Sequence, residues 1–230
     1  MKPLQYFYLL QVNDALFPIG GYSHSYGLET YIQKGIVKNT KDAEHYLYNR
    51  LKYNTLYTDL FCVRLAWEYA SKNNIDQLVH LNQITEAGKL PSEIRDASKK
   101  LGSRFLKTVQ SLNIPYTSDC FNAFTSKIGT KFIHHACLYG AFLCCIGISQ
   151  EEALSHYLYA QTSAIVTTCV KSIPLSQTDG QKILSDSYPV FIELLNKVMD
   201  LELCDYGLSS PGFDIRCMQH EYLYSRIYMS

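Results

Sequence analysis

Cys217 and His220 are the pair in this 230-residue chain whose types and spacing most suggest chemistry. On a helix, a spacing of three places both on one face. A thiolate beside an imidazole suits nickel or zinc. Two ligands leave such a site open, and each residue also has an ordinary packing or polar role, so the pair is a weak metal candidate and no closed metal site is expected. Other candidates fail on geometry. His134 and His135 are adjacent, as are Cys144 and Cys145, and neighbours on a helix point about 100° apart, away from any shared ion. His24 stands alone. The chain has no G-x-S-x-G, no G-x-x-x-x-G-K-[ST] and no G-x-G-x-x-G, which removes the usual nucleophile turn and nucleotide loops. One catalytic alternative stays open, a helical enzyme with a buried pocket lined by His134, Tyr139, Cys144 and Tyr157, although nothing in their spacing demands it.

Two other segments stand out because they are apolar where chains are usually polar. The run Phe17-Pro-Ile-Gly-Gly-Tyr-Ser-His-Ser-Tyr-Gly-Leu-Glu29 is punctuated by Pro18, Gly20, Gly21 and Gly27, so its first half reads as a shaped loop. A loop carrying Phe17, Ile19, Tyr22 and Tyr26 either packs on the core or meets a partner. The tail from Met218 to Ser230 holds Tyr222, Tyr224, Tyr228, Leu223, Ile227 and Met229, whereas terminal residues commonly fray and are polar. Tyr222 and Arg226 at i, i+4 would share one helix face, and tyrosine and arginine are the residue types that dominate binding interfaces.

Composition sets the frame. Lysine plus arginine equals aspartate plus glutamate at 21 each, so no basic face marks a nucleic-acid binder. A net charge of zero favours association, and 19 tyrosines fit protein–protein contact. No C-x-x-C occurs among the eight cysteines, and Met1-Lys-Pro-Leu opens no secretory leader, so reduced thiols and a cytoplasmic location are expected. The longest apolar stretch, 136–148, is shorter than the roughly 20 residues that span a bilayer, so no membrane segment is expected.

The apolar spacing is helical throughout. Helices are expected over 4–12, 26–35, 40–69 with a break near Asn54, 75–86, 92–112 and 131–147. A capping box of Ser149 and Glu152 opens the next, which runs to Pro174. Another begins at Gln177 or Thr178 and breaks at Pro189. Residues 205–213 read as a loop, and Asp214 would cap a last helix over 215–228. The expected fold is all-α, a single 1–230 domain of about ten helices around the apolar helix at 131–147. The loop (13–29) and the tail (214–230) are its docking segments.

The loop motif, Val170-Lys-Ser-Ile-Pro-Leu-Ser-Gln-Thr-Asp-Gly-Gln181 and His220-Glu-Tyr-Leu-Tyr-Ser-Arg-Ile-Tyr-Met-Ser230 resemble, in order, the motifs of the urease accessory protein UreF family. Leu101-Gly-Ser-Arg-Phe-Leu-Lys-Thr108 and His156-Tyr-Leu-Tyr-Ala-Gln-Thr-Ser163 add to the likeness. The resemblance implies an all-α, non-catalytic homodimer that binds UreH (also called UreD), recruits the GTPase UreG, and so takes part in delivering nickel to apo-urease. No cofactor would be bound stably, and nickel would be handled by the complex. By motif, the partner-binding residues would be Pro18, Tyr22, His24, Met218, His220, Glu221, Tyr222, Tyr224, Arg226 and Tyr228, with the tail ordered by UreH. Cys217 matches no fixed cysteine of the pattern. The alternative within the same resemblance is a direct regulator of GTP hydrolysis by UreG, with Arg226 or Lys171 placed near the phosphate.

Overall fold

The computed structural model describes residues 3–208 and 211–230. Those residues form helices and loops, with no strand among them. The order is α1 (Pro3–Asn13), a 3₁₀ turn (Gly21–Ser23), α2 (Leu28–Gln33), α3 (Thr40–Arg50), a π segment (Leu51–Leu60), α4 (Phe61–Ser71), α5 (Ile75–Gly88) and α6 (Ser92–Ser111). Then follow α7 (Cys120–Ile128), α8 (His135–Cys145), α9 (Gln150–Ser172), α10 (Gln177–Asp186), α11 (Tyr188–Asp200), a 3₁₀ turn (Leu203–Asp205) and α12 (Pro211–His220). None of these helices is long and apolar enough to cross a membrane.

Local chemistry sets most boundaries. Asn39 accepts from the Asp42 amide and Asn74 from the Gln77 amide, each satisfying a free donor at a helix start. Ser149 and Glu152 form the expected capping box, and Ser176 and Asp179 form a second one at α10. The chain turns at Ser187, and Pro189 sits in the first turn of α11, where its missing N–H costs nothing.

The core is built on α8, whose residues are all buried except Cys144. Gly140 lets α4 close onto it, since a Cβ there would stand 2.4 Å from the Val63 carbonyl oxygen. The long α9 crosses beside α8 and carries α1, α3 and α10 on its flanks.

Several boundaries differ from the sequence expectation. No break occurs near Asn54; instead residues 51–60 widen into a π segment, and α3, π and α4 form one continuous rod. The short α7, with Phe121 and Phe124 in the core, was not expected. α8 starts at His135, after an extended His134. The last helix begins at Pro211, inside the stretch expected to be loop, and stops at His220 instead of running to 228.

Candidate functional site

The loop after α1 is shaped by two left-handed glycines, Gly20 at φ 80° and Gly27 at φ 84°. Each permits a close approach. Arg104 of α6 reaches over Gly20 and donates to the Ile19 carbonyl at 3.2 Å. α12 presses on Gly27 so closely that a Cβ there would lie 2.7 Å from Cys217 Sγ. Between them Tyr26 has φ 52°, and Arg50 of α3 holds it by donating to its carbonyl at 2.6 Å.

The tail leaves α12 at His220 and returns along this loop. The Met229 amide donates to the Ser23 carbonyl at 2.8 Å, and the amides of Ser25 and Tyr26 donate to the Ser230 carbonyl oxygen at 2.6 and 3.0 Å. The Ser25 hydroxyl donates to the same oxygen at 2.7 Å. His24 Nδ1 lies 2.8 Å from Ser230 Oγ. Both partners are buried.

Glu29, on α2 and 5 % exposed, gathers the rest of the tail. Its carboxylate accepts from the Ile227 amide at 2.8 Å and the Tyr228 amide at 3.2 Å. It also meets His220 Nε2 at 3.0 Å. The other ring nitrogen, Nδ1, lies 2.6 Å from Glu93 on α6, and the free oxygen of Glu93 accepts from Arg226 at 2.7 Å. A buried imidazole between two carboxylates thus ties α2, α6 and the tail together. Gln33 donates to the Ser225 carbonyl at 2.6 Å, and the Ser92 hydroxyl donates to Glu221.

The electrostatics follow from burial. Burial, with Lys100 and Arg104 nearby, lowers the His24 pKa to about 4, so the ring is neutral near pH 7 and bonds as a neutral donor or acceptor. Burial also pushes the Cys217 thiol up to about 11, which keeps it protonated.

Beneath the loop lies a cavity of about 350 Å³, walled by Phe17, Ile19, Tyr26, His135, Tyr139 and Tyr157. Tyr22 and Lys171 also border it.

The chain matches the UreF family model over residues 37–188. It is 33 % identical to a urease accessory protein UreF of Bacillus sp. (strain TB-90) over 224 residues, 96 % of this chain and 97 % of that protein. A UreF of Lachnoclostridium phytofermentans is 32 % identical over 224 residues, with the same coverage of both chains. One of Actinobacillus pleuropneumoniae serotype 5b is 34 % identical over 223 residues, again 96 % and 97 % of the two chains. The chain belongs to the UreF family of urease accessory proteins.

In this UreF-family chain the residues singled out from sequence fall into two groups. Pro18, Tyr22, Met218, Tyr222 and Tyr224 face outward, with Tyr22 at 75 % and Tyr222 at 85 % exposure. His24, His220, Arg226 and Tyr228 instead turn inward or sideways as ties, Tyr228 through its hydroxyl 3.1 Å from Ser172 Oγ. Glu221 is exposed and holds Ser92.

Three expectations are corrected. Tyr222 and Arg226 do not share a helix face, because the helix has ended; Arg226 is placed by Glu93 instead. Cys217 and His220 do not form a metal pair. The thiol points to the Tyr26 carbonyl at 3.5 Å and packs on Gly27, and both His220 nitrogens are occupied by carboxylates on opposite sides of the ring. Among the described residues no group of three or more His, Cys, Asp or Glu is placed to hold one ion. Finally, His134, Tyr139, Cys144 and Tyr157 do not line one pocket. His134 turns to Ser98 and Glu86, and only Tyr139 and Tyr157 reach the cavity under the loop, beside His135.

Sequence reasoning missed Glu29 and Glu93 as site residues. Glu29 had a signal, a lone carboxylate closing an otherwise apolar motif. Glu93 had none, since an acid in the first turn of a helix is ordinary.

Proposed function

We propose that this chain is the non-catalytic scaffold of urease maturation. It binds UreH/UreD and recruits UreG through one face made of loop and tail, so that the assembly, and not this chain alone, handles the nickel cargo destined for apo-urease. The observation that carries this reading is the pairing of a cross-tied backbone with outward aromatic side chains. Tyr22, Tyr222 and Tyr224 project from segments that are held by bonds to Glu29, Glu93 and Ser230. Rigidly presented tyrosines bury large area at low entropic cost. In this reading the chain acts as a homodimer in the cytoplasm, and the family's accessory role supports a part without chemistry of its own.

A role as a direct regulator of GTP hydrolysis needs a free cation at the phosphate. Arg226 would have to leave Glu93 to supply it, whereas Lys171 stands exposed beside the cavity; the scaffold reading is preferred for the outward tyrosines of loop and tail.

Co-expression with UreH and UreG, followed by pull-down and a urease activation assay, tests the proposal. Tyr22→Ala and Arg226→Ala each remove a hot-spot type of side chain, worth about 2 kcal/mol or more, and should weaken the complex about 30-fold while leaving the helical fold intact. Unchanged complex formation and activation in both variants would overturn the site assignment. Acceleration of GTP turnover by this chain with UreG alone, without UreH, would favour the regulator instead.

A further inference from the structure

Adjoining the larger cavity is a second and much smaller one of about 20 Å³. It shares the walls Tyr26, Leu101, His135, Tyr157 and Gln161 with its neighbour. Its charged walls are Arg50, Lys89 and Asp59. Arg50 comes from the last turn of α3 and Asp59 from the π segment, and both line this space.

The charges do not cancel. Asp59 is engaged by Lys89, at 2.7 Å. Arg50 has no carboxylate of its own. Its Nη1 donates to the Tyr26 carbonyl and, at 3.1 Å, to the Tyr46 hydroxyl, and its guanidinium lies 5.1 Å from the centre of the Tyr26 ring. Burial pushes the Tyr46 and Tyr26 hydroxyls and the Cys217 thiol up, so none of the three is an anion at neutral pH. His135 is kept uncharged by burial, its pKa lowered to about 4. Two cations therefore face one carboxylate. A guanidinium does not give up its proton, and Arg50 is half-buried, so holding it without an anion is costly. One of its donors, Arg50 Nε, is buried and has no hydrogen-bond partner.

We propose that this smaller cavity binds one small monovalent anion of halide size, held by Arg50 Nε. The size follows from the space: about 20 Å³ is on the order of one water or one single-atom ion. The sign follows from the excess positive charge, which favours an anion over a water. The anion would complete the shell of the side chain that fixes the Tyr26 carbonyl, and with it the left-handed turn under the loop. This inference does not depend on which partners the loop and tail engage.

Crystals of the full chain soaked in sodium bromide and measured at the bromine edge test it directly. An anomalous peak in the cavity within hydrogen-bond distance of Arg50 Nε is the expected result. A water there with no bromine signal overturns the proposal. A second measurement follows the urea midpoint in sodium bromide against sodium gluconate at equal ionic strength, gluconate being too large for the cavity. The bromide-minus-gluconate shift should be more stabilising in wild type than in Arg50→Met, and an equal shift in both counts against the site. If Arg50→Met does not fold, the bromine map alone decides.

Discussion

Replacing Glu29 with alanine should release the tail without unfolding the body. The wild-type carboxylate accepts three bonds, at 2.8, 3.2 and 3.0 Å, from the Ile227 amide, the Tyr228 amide and His220 Nε2. Hydrogen bonds to a charged group are worth about 1.5–3 kcal/mol each, so the low end for three is about 4.5 kcal/mol. Two of the donors regain water once the tail lifts, and only the buried His220 nitrogen stays without a partner. The net loss assigned to tail closure is therefore about 2–3 kcal/mol, or roughly 30- to 140-fold in the opening equilibrium. Native-state hydrogen exchange reads this quantity directly. The informative amides are ones that Glu29 does not touch: Met229, which donates to Ser23, and Ser25 and Tyr26, which donate to Ser230. They should exchange faster by the same factor as the amides of residues 227 and 228, while amides of α8 keep their protection. Glu29→Gln, which keeps an acceptor but loses the charge, should fall between. If the Met229, Ser25 and Tyr26 amides exchange at wild-type rates in Glu29→Ala, the tail is held by something other than this carboxylate and the reasoning fails.

Gly27→Ala should cost about 1–2 kcal/mol for its left-handed backbone, plus a clash with Cys217 Sγ 2.7 Å from the new Cβ. Adding Cys217→Ala should recover the Sγ part of the clash but neither the backbone strain nor the 3.3 Å approach to the Cys217 amide nitrogen, and a double-mutant cycle by urea unfolding with zero coupling would contradict the contact. The buried imidazoles predict acid sensitivity. Burial lowers His24, His134 and His135 to about 4 each, against about 6.5 unfolded. The unfolded chain therefore binds protons that the folded chain refuses. Stability is full above pH 6.5 and is lost as the pH falls towards about 4, with a slope approaching about 4 kcal/mol per pH unit for three groups. The capping carboxylates Glu152 and Asp179, held low by the hydroxyls of Ser149 and Ser176, add losses only at lower pH. Urea midpoints at pH 7, 6 and 5 isolate the histidines, and equal midpoints would refute the assignment.

The helical body was legible because its signals are local. Ser149 and Glu152 satisfy each other's backbone donors whatever surrounds them, and an all-apolar run such as that of α8 has nowhere to go but inside. The π segment was marked only as an irregularity near Asn54, read as a break; the helix runs on there, burying Leu51, Thr55, Leu56 and Leu60. The tail failed for a related reason. Its Tyr222 and Arg226 have helical spacing, but the amides of Ile227 and Tyr228 find a better acceptor in Glu29 than in a helix carbonyl, and that acceptor lies about 200 residues away in the chain. The loop was readable as a loop from Pro18 and its glycines. That it would be closed by Ser230 was not, because a backbone-to-backbone contact leaves no trace in side-chain types.

The bond between His24 and Ser230 spans 206 residues, nearly the whole length of the chain. A contact of that separation closes late, after the helices between have already found their places. During synthesis, residue 24 leaves the ribosome long before residue 230, so an unfinished chain has folded helices but no completed face. Recognition of that face by a partner would then also require that the chain had been made at least as far as Ser230, and products cut short of it would be passed over.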